Sequence, residues 1–181
     1  MIRGRLGDGQ GNPIVGAQVC IQARTNMAGK KFKLLATTAT NSDGHFSYKL
    51  KRGASRKIRV VYRDGSFQMS RSLRLKVRGT STLRVSKHRT RPLKRVRFFG
   101  KIPGPHSAGR VVVVYGTVSG AKKRFLVRRA KTNSVGRWRA GYSFTPVPAK
   151  TKFVFWAVVP NQNGYPYSQG RSAARYIRVS P

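Results

Sequence analysis

Arg71-Ser72-Leu73-Arg74-Leu75-Lys76-Val77-Arg78 alternates polar and apolar residues with a period of two. That spacing puts Leu73, Leu75 and Val77 on one face of an extended chain and the basic residues on the other, as in an antiparallel strand packed on a core by one side. The same reading extends outward. Arg56–Tyr62 carries Ile58, Val60 and Tyr62 inward, Lys94–Gly100 carries Val96 and Phe98, and Arg137–Phe144 carries Trp138, Ala140, Tyr142 and Phe144. Between these runs stand turn signals: Asp8-Gly9, Gly11-Asn12-Pro13, Asp43-Gly44, Asp64-Gly65 and Asn163-Gly164. Short strands cut by turns, with no helical period, predict an all-β sandwich architecture.

An internal repeat divides the chain. Thr40-Asn41-Ser42-Asp43-Gly44-His45-Phe46 returns 92 positions later as Thr132-Asn133-Ser134-Val135-Gly136-Arg137-Trp138. Ile2-Arg3-Gly4-Arg5-Leu6 is echoed by Phe98-Phe99-Gly100-Lys101-Ile102, and both copies close on a basic strand, Leu73–Arg78 and Arg175–Val179. The period fits one sandwich domain, so two tandem domains are expected, residues 1–79 and 80–181. The copies differ at their starts. Ser81-Thr82-Leu83-Arg84-Val85 forms an extra predicted strand ahead of the second, with no counterpart before Ile2. Either the first domain does without that strand, or Met1 begins partway through a longer protein and an edge is left open to strand pairing, including pairing into a homo-oligomer or fibre.

Charge is the other strong signal. The 181 residues hold 39 Lys and Arg against three acids, for a net charge of +36. Cations are spread over both halves and alternate with apolar residues, which favours a folded chain over a disordered one. Folding works against self-repulsion, which salt or a polyanion relieves. The basic rows Arg71/Arg74/Lys76/Arg78, Lys94/Arg95/Arg97, Lys122/Lys123/Arg124/Arg128/Arg129 and Arg137/Arg139 are the candidate polyanion contacts. A GC-rich genome also raises arginine content. Tyr165 and Tyr167 are candidates for stacking on sugars or bases, or alternatively plug an open end of the sandwich. No recognisable RNA or DNA motif is present, so nucleic acid is a nonspecific partner at most.

Catalytic apparatus is not expected. Asp8, Asp43 and Asp64 each adjoin Gly in a turn setting, and His45, His88 and His106 show no metal-ligand spacing. The single Cys20 lies in the apolar run Ala17–Ile21 and reads as a buried small hydrophobe. No phosphate-binding loop, cofactor site or metal site is read from the sequence. The N-terminus lacks the apolar core of a secretory signal, and no run reaches the roughly 18 apolar residues of a membrane helix.

Gly4-Arg5-Leu6, Gly11–Val19 and Thr40–Phe46 together resemble the carboxypeptidase regulatory-like domain, a transthyretin-like (prealbumin-like) sandwich related to repeats of bacterial collagen adhesins. The second half resembles Ig-like repeats of secreted or surface proteins of high-GC Gram-positive bacteria, through Val96–Gly100, Thr132–Trp138 and Gly164–Gly170. These resemblances imply accessory, stalk or adhesive modules rather than peptidases, placed outside the cell and touching anionic envelope polymers or polysaccharide. With no Glu in the chain, the Lys–Asn cross-link of some collagen-adhesin repeats is not expected.

Overall fold

A computed structural model describes all residues, 1–181. It contains no helix, and no segment is a helix long and apolar enough to cross a membrane. The chain is an all-β sandwich protein divided into two compact units, Met1–Val77 and Arg78–Pro181.

Unit 1 contains β1 (Ile2–Arg5), β2 (Gln18–Thr25), β3 (Lys33–Ala39), β4 (His45–Tyr48), β5 (Arg56–Asp64) and β6 (Phe67–Leu75). The β1–β4 pair faces a four-stranded sheet ordered β3-β2-β5-β6. Ile2, Ile21 and Ile58 form the buried cluster, with Phe46, Tyr48 and Val60 packed against it. Unit 2 contains β7 (Arg84–Val85), β8 (Arg89–Thr90), β9 (Arg95–Lys101), β10 (Val111–Val118), β11 (Phe125–Lys131), β12 (Arg137–Ser143), β13 (Thr151–Val159), β14 (Gly170–Arg171) and β15 (Arg175–Val179). One sheet runs β12-β9-β7; the other runs β11-β10-β13-β15-β8, with β14 on β13. Phe98 and Phe155 meet at 4.8 Å and Phe144 and Phe153 at 5.0 Å, an aromatic core of the kind that dominates burial energetics.

The repeated Thr-Asn-Ser-x-Gly segment has one physical meaning in both units. Thr40 Oγ1 donates to Ile14 O and accepts from Ala17 N; Thr132 Oγ1 likewise donates to Ser107 O and accepts from Arg110 N. Asn41 Oδ1 accepts from the amides of Asp43 and His45, and Asn133 Oδ1 from those of Val135 and Arg137. These Asx-type bonds close a turn that requires a left-handed residue, supplied by Gly44 at φ 73° and Gly136 at φ 75°. The turn delivers Phe46 opposite Gly4 and Trp138 opposite Gly100.

Three expectations need correction. The stretch beginning at Arg71 is a strand only to Leu75, and Leu73 remains 42% exposed because the two-stranded sheet does not reach across β6. Arg71 pairs with Val60 and so shares the inner face with Leu73, apart from the outward Arg74. Cys20 is only partly buried, since Val19 and Ile21 take the inward positions and leave Cys20 outward beside Thr37, with Sγ and Oγ1 4.0 Å apart. Tyr165 and Tyr167, 5% and 8% exposed, cannot offer ring faces to a ligand. They pack on each other at 4.8 Å, and Tyr165 Oη donates to Pro103 O. This is the plug reading, made possible by Gly79 and Gly104, where a Cβ would collide with the rings.

Both tryptophans, Trp138 and Trp156, lie in unit 2, so indole fluorescence reports its unfolding alone. A Cβ at Gly100 would overlap the Thr82 carbonyl and touch Trp138. Gly100→Ala should therefore lower unit 2 stability by about 1–3 kcal/mol in urea titrations, while Gly9→Ala, with open space around it, leaves the midpoint unchanged. Burial pushes the Tyr165 and Tyr167 hydroxyls above their ordinary value of 10.0. A raised folded-state value means the stabilisation is complete below pH 10.0 and is lost as pH climbs through the folded-state value. The urea midpoint should fall more steeply above pH 10.0 in the wild type than in Tyr165→Phe/Tyr167→Phe; equal slopes would contradict the buried placement.

Candidate polyanion-binding face

With Val96, Phe98, Trp138 and Ala140 inward, strand alternation turns Arg95, Arg97 and Phe99 of β9 and Arg137, Arg139 and Gly141 of β12 outward. Register sets Arg139 opposite Phe99 and Gly141 opposite Arg97. A Cβ on Gly141 would lie 2.5 Å from Arg95 Nε, so the absent side chain is what lets the Arg95 guanidinium lie across β12. Arg128 reaches the same place from β11 of the other sheet. The result is an open depression of about 670 Å³ lined by Arg95, Arg97, Arg128 and Arg139, together with the outward Phe99, Gly141 and Ser86.

No acid lines this depression, and none of the four guanidiniums has a hydrogen-bond or ring partner in the protein. Several arginines elsewhere are satisfied internally. Arg5 donates to Asp43 O and Gly11 O, Arg59 to Gln22 Oε1, and Arg171 lies 4.2 Å from the Trp156 ring. Planar guanidinium forks held near one another without counter-charge match the geometry of phosphate, sulfate or carboxylate groups.

The structure gathers four of the sequence-read cations here and disperses the others. Lys122, Lys123 and Arg124 sit in the β10–β11 hairpin, where Arg124 lies 5.1 Å from the Tyr115 ring. Arg129 alternates with Arg128 and so points from the opposite face of β11, Arg137 pairs with Lys101 further along β12, and Lys94 precedes β9. Arg71 and Arg74 lie on opposite faces of β6, and Lys76 and Arg78 follow its end. Sequence reasoning passed over Ser86, Phe99 and Gly141. A glycine inside the strand Arg137–Ser143 was the available signal of a close approach. A smaller basic depression, lined by His88, Arg89, Lys152, Tyr176 and Arg178, also escaped it, because its members come from three separate segments.

The remaining reactive side chains are dispersed. Asp8 is a turn residue whose carboxyl is held below its ordinary range by hydrogen bonds from the Asn12 side chain and amide, then from neighbouring amides. Asp43 and Asp64 adjoin Gly44 and Gly65, both at positive φ. His88 Nδ1 lies 3.1 Å from Tyr176 O. No three His, Cys, Asp or Glu side chains come together in a metal-ligating group.

No family model matches the chain, and no curated protein does. Among solved structures, it is similar to a tetra-tandem repeat in the extending region of a large adhesion protein, at 14% identity and a TM-score of 0.44, over 92% of this chain and 42% of that one. It is also similar to the FN1–FN3 domains of chicken CNTN1 (10% identity, TM-score 0.37, 97% of this chain and 59% of that one). A third similarity is to three N-terminal domains of the bacteriophage RB49 highly immunogenic outer capsid protein (10%, TM-score 0.34, 94% and 59%). The chain thus spans 42% to 59% of the lengths of these proteins.

Proposed function

We propose that the chain is a non-enzymatic structural and adhesive module, working outside the cell or at its surface, that holds anionic polymers against the arginine face of unit 2. In this reading residues 1–79 are a carboxypeptidase regulatory-like sandwich and residues 80–181 an Ig-like one, joined as a spacer. The observation that carries the proposal is the convergence of Arg95, Arg97, Arg128 and Arg139 around one depression with no acid and no internal partner. Cations needed only for solubility gain nothing from convergence, because like charges brought together repel. Four guanidiniums around one depression instead suit successive phosphate or carboxylate groups of a chain polymer, whose binding releases condensed counterions.

The test compares two fourfold variants at matched charge. Arg95→Gln/Arg97→Gln/Arg128→Gln/Arg139→Gln removes the face, and Lys122→Gln/Lys123→Gln/Arg124→Gln/Arg129→Gln removes the same charge elsewhere. With teichoic acid as the probe, the first variant should lose at least about ten-fold in affinity and flatten the log–log salt dependence by roughly 3, while the second loses far less. Equal losses would mean attraction by diffuse charge and no site. Competition between teichoic acid and duplex DNA at equal charge then separates the classes. The envelope reading expects teichoic acid to win, and DNA winning would put nucleic acid in its place.

A further inference from the structure

The two units share a strand order, β3-β2-β5-β6 in unit 1 and β11-β10-β13-β15 in unit 2, each facing a sheet in which Gly4–Phe46 or Gly100–Trp138 pair. They differ at the edge of the smaller sheet. In unit 2 residues 81–90 close the sandwich: β7 adds antiparallel to the free edge of β9, and β8 adds to β15. Leu83 from this segment is buried, Ser81 Oγ receives the Trp138 indole N–H, and beneath them Ile177 and Val179 of β15 are fully enclosed.

Nothing in the chain occupies the equivalent place in unit 1. β1 pairs with β4 alone. The Leu6 N–H donates to Gly44 O across that pair, so by alternation the backbone groups of Arg3 and Arg5 point to the open side. Beneath the open side the inner face of β6 is uncovered: Phe67, Met69 and Leu73 are 55%, 38% and 42% exposed. Between β1 and β6 runs an apolar groove of about 280 Å³, lined by Ile2, Leu6, Phe46, Val60, Met69 and Leu73. The cost is visible in the cores, with six buried apolar side chains in unit 1 against nineteen in unit 2.

Each unit has one arginine on the inner face of its last strand, β6 or β15. Arg175 of β15 pairs with Phe155, and its Nε donates to the Leu83 carbonyl of the closing segment at 3.0 Å. By register its counterpart in unit 1 is Leu73, which pairs with Ile58; two residues earlier on the same inner face, Arg71 pairs with Val60, borders the groove and has no side-chain partner. An inward cation on an edge strand deters indiscriminate pairing. Here it also borders the groove that an arriving strand would enter.

We propose that unit 1 is completed by an extended strand of another polypeptide, laid antiparallel along β1 with small or apolar residues inward and an acidic residue outward opposite Arg3. The charge of the groove selects the occupant. Arg3, Arg5 and Arg71 line it and no acid does. In unit 2 the outward Arg84 faces Phe99, whose counterpart in unit 1 is Arg3, so a strand like residues 81–86 from a second copy would set arginine against arginine, in addition to the repulsion between two +36 chains.

The experiment titrates the full chain with capped heptapeptides copying residues 80–86, one unaltered and one carrying Arg84→Glu, and reads backbone amide exchange and NMR shifts. The Arg84→Glu peptide should protect the Arg3 and Arg5 amides and shift the Leu73 methyls, at a concentration about ten-fold below that needed by the unaltered copy. Arg71→Gln in the protein should weaken it several-fold, and a scrambled peptide of identical composition should protect neither amide. Equal binding by the scrambled peptide, or indifference to Arg71→Gln, overturns the proposal in favour of surface charge attraction. Protection of Arg3 and Arg5 in the protein alone, rising with its concentration together with sedimentation as a dimer, overturns it in favour of a second copy.

Discussion

Nearly everything in this molecule follows from having 39 cationic side chains and three anionic ones. A cation can enter a core only with a counter-charge or a full set of acceptors. Counter-charges are almost absent, so most of the cations face outward, and in a strand that favours the period of two. The acceptors used instead are uncharged. Arg110 donates to His106 O and Asn163 O, Arg63 to Gln68 Oε1, and Arg59 lies 4.2 Å from the Phe32 ring. Such contacts fix arginine side chains without neutralising them, so the protein is ordered and strongly charged together.

That constraint explains which parts of the fold were legible in the sequence. Alternation placed Val96, Phe98, Trp138 and Ile58 inward, because a cation next to each left no alternative face. The Thr-Asn-Ser-x-Gly repeat was readable because its chemistry is local: amide, hydroxyl and left-handed glycine lie within a few residues. Depth of burial was not readable. Leu73 and Ile177 sit in matching alternating strands, yet one is 42% exposed and the other fully enclosed, since the outcome depends on whether a distant segment covers the strand. The choice between plug and stacking platform for Tyr165 and Tyr167 stayed open for the same reason, their cover being glycines about 60 and 90 residues earlier.

The candidate site shows the same division. Arg95, Arg97 and Arg139 were identifiable as outward cations on strands, but their meeting with Arg128 depends on how β11 lies beside the edge of β12. No local pattern encodes that. Gly141 was the one residue whose type pointed to the crowding, through the Arg95 side chain that crosses it.

The scarcity of carboxylates also governs how the molecule meets acid. Ordinary proteins unfold at low pH largely because paired carboxylates take up protons and abandon their cations. Here only Asp8, Asp43 and Asp64 are available to do so, and they hold turns rather than cations. Between neutrality and strong acid the three Asp and three His take the net charge from +36 only to +42. The molecule therefore has almost the same electrical identity on either side of the range in which most proteins change sign.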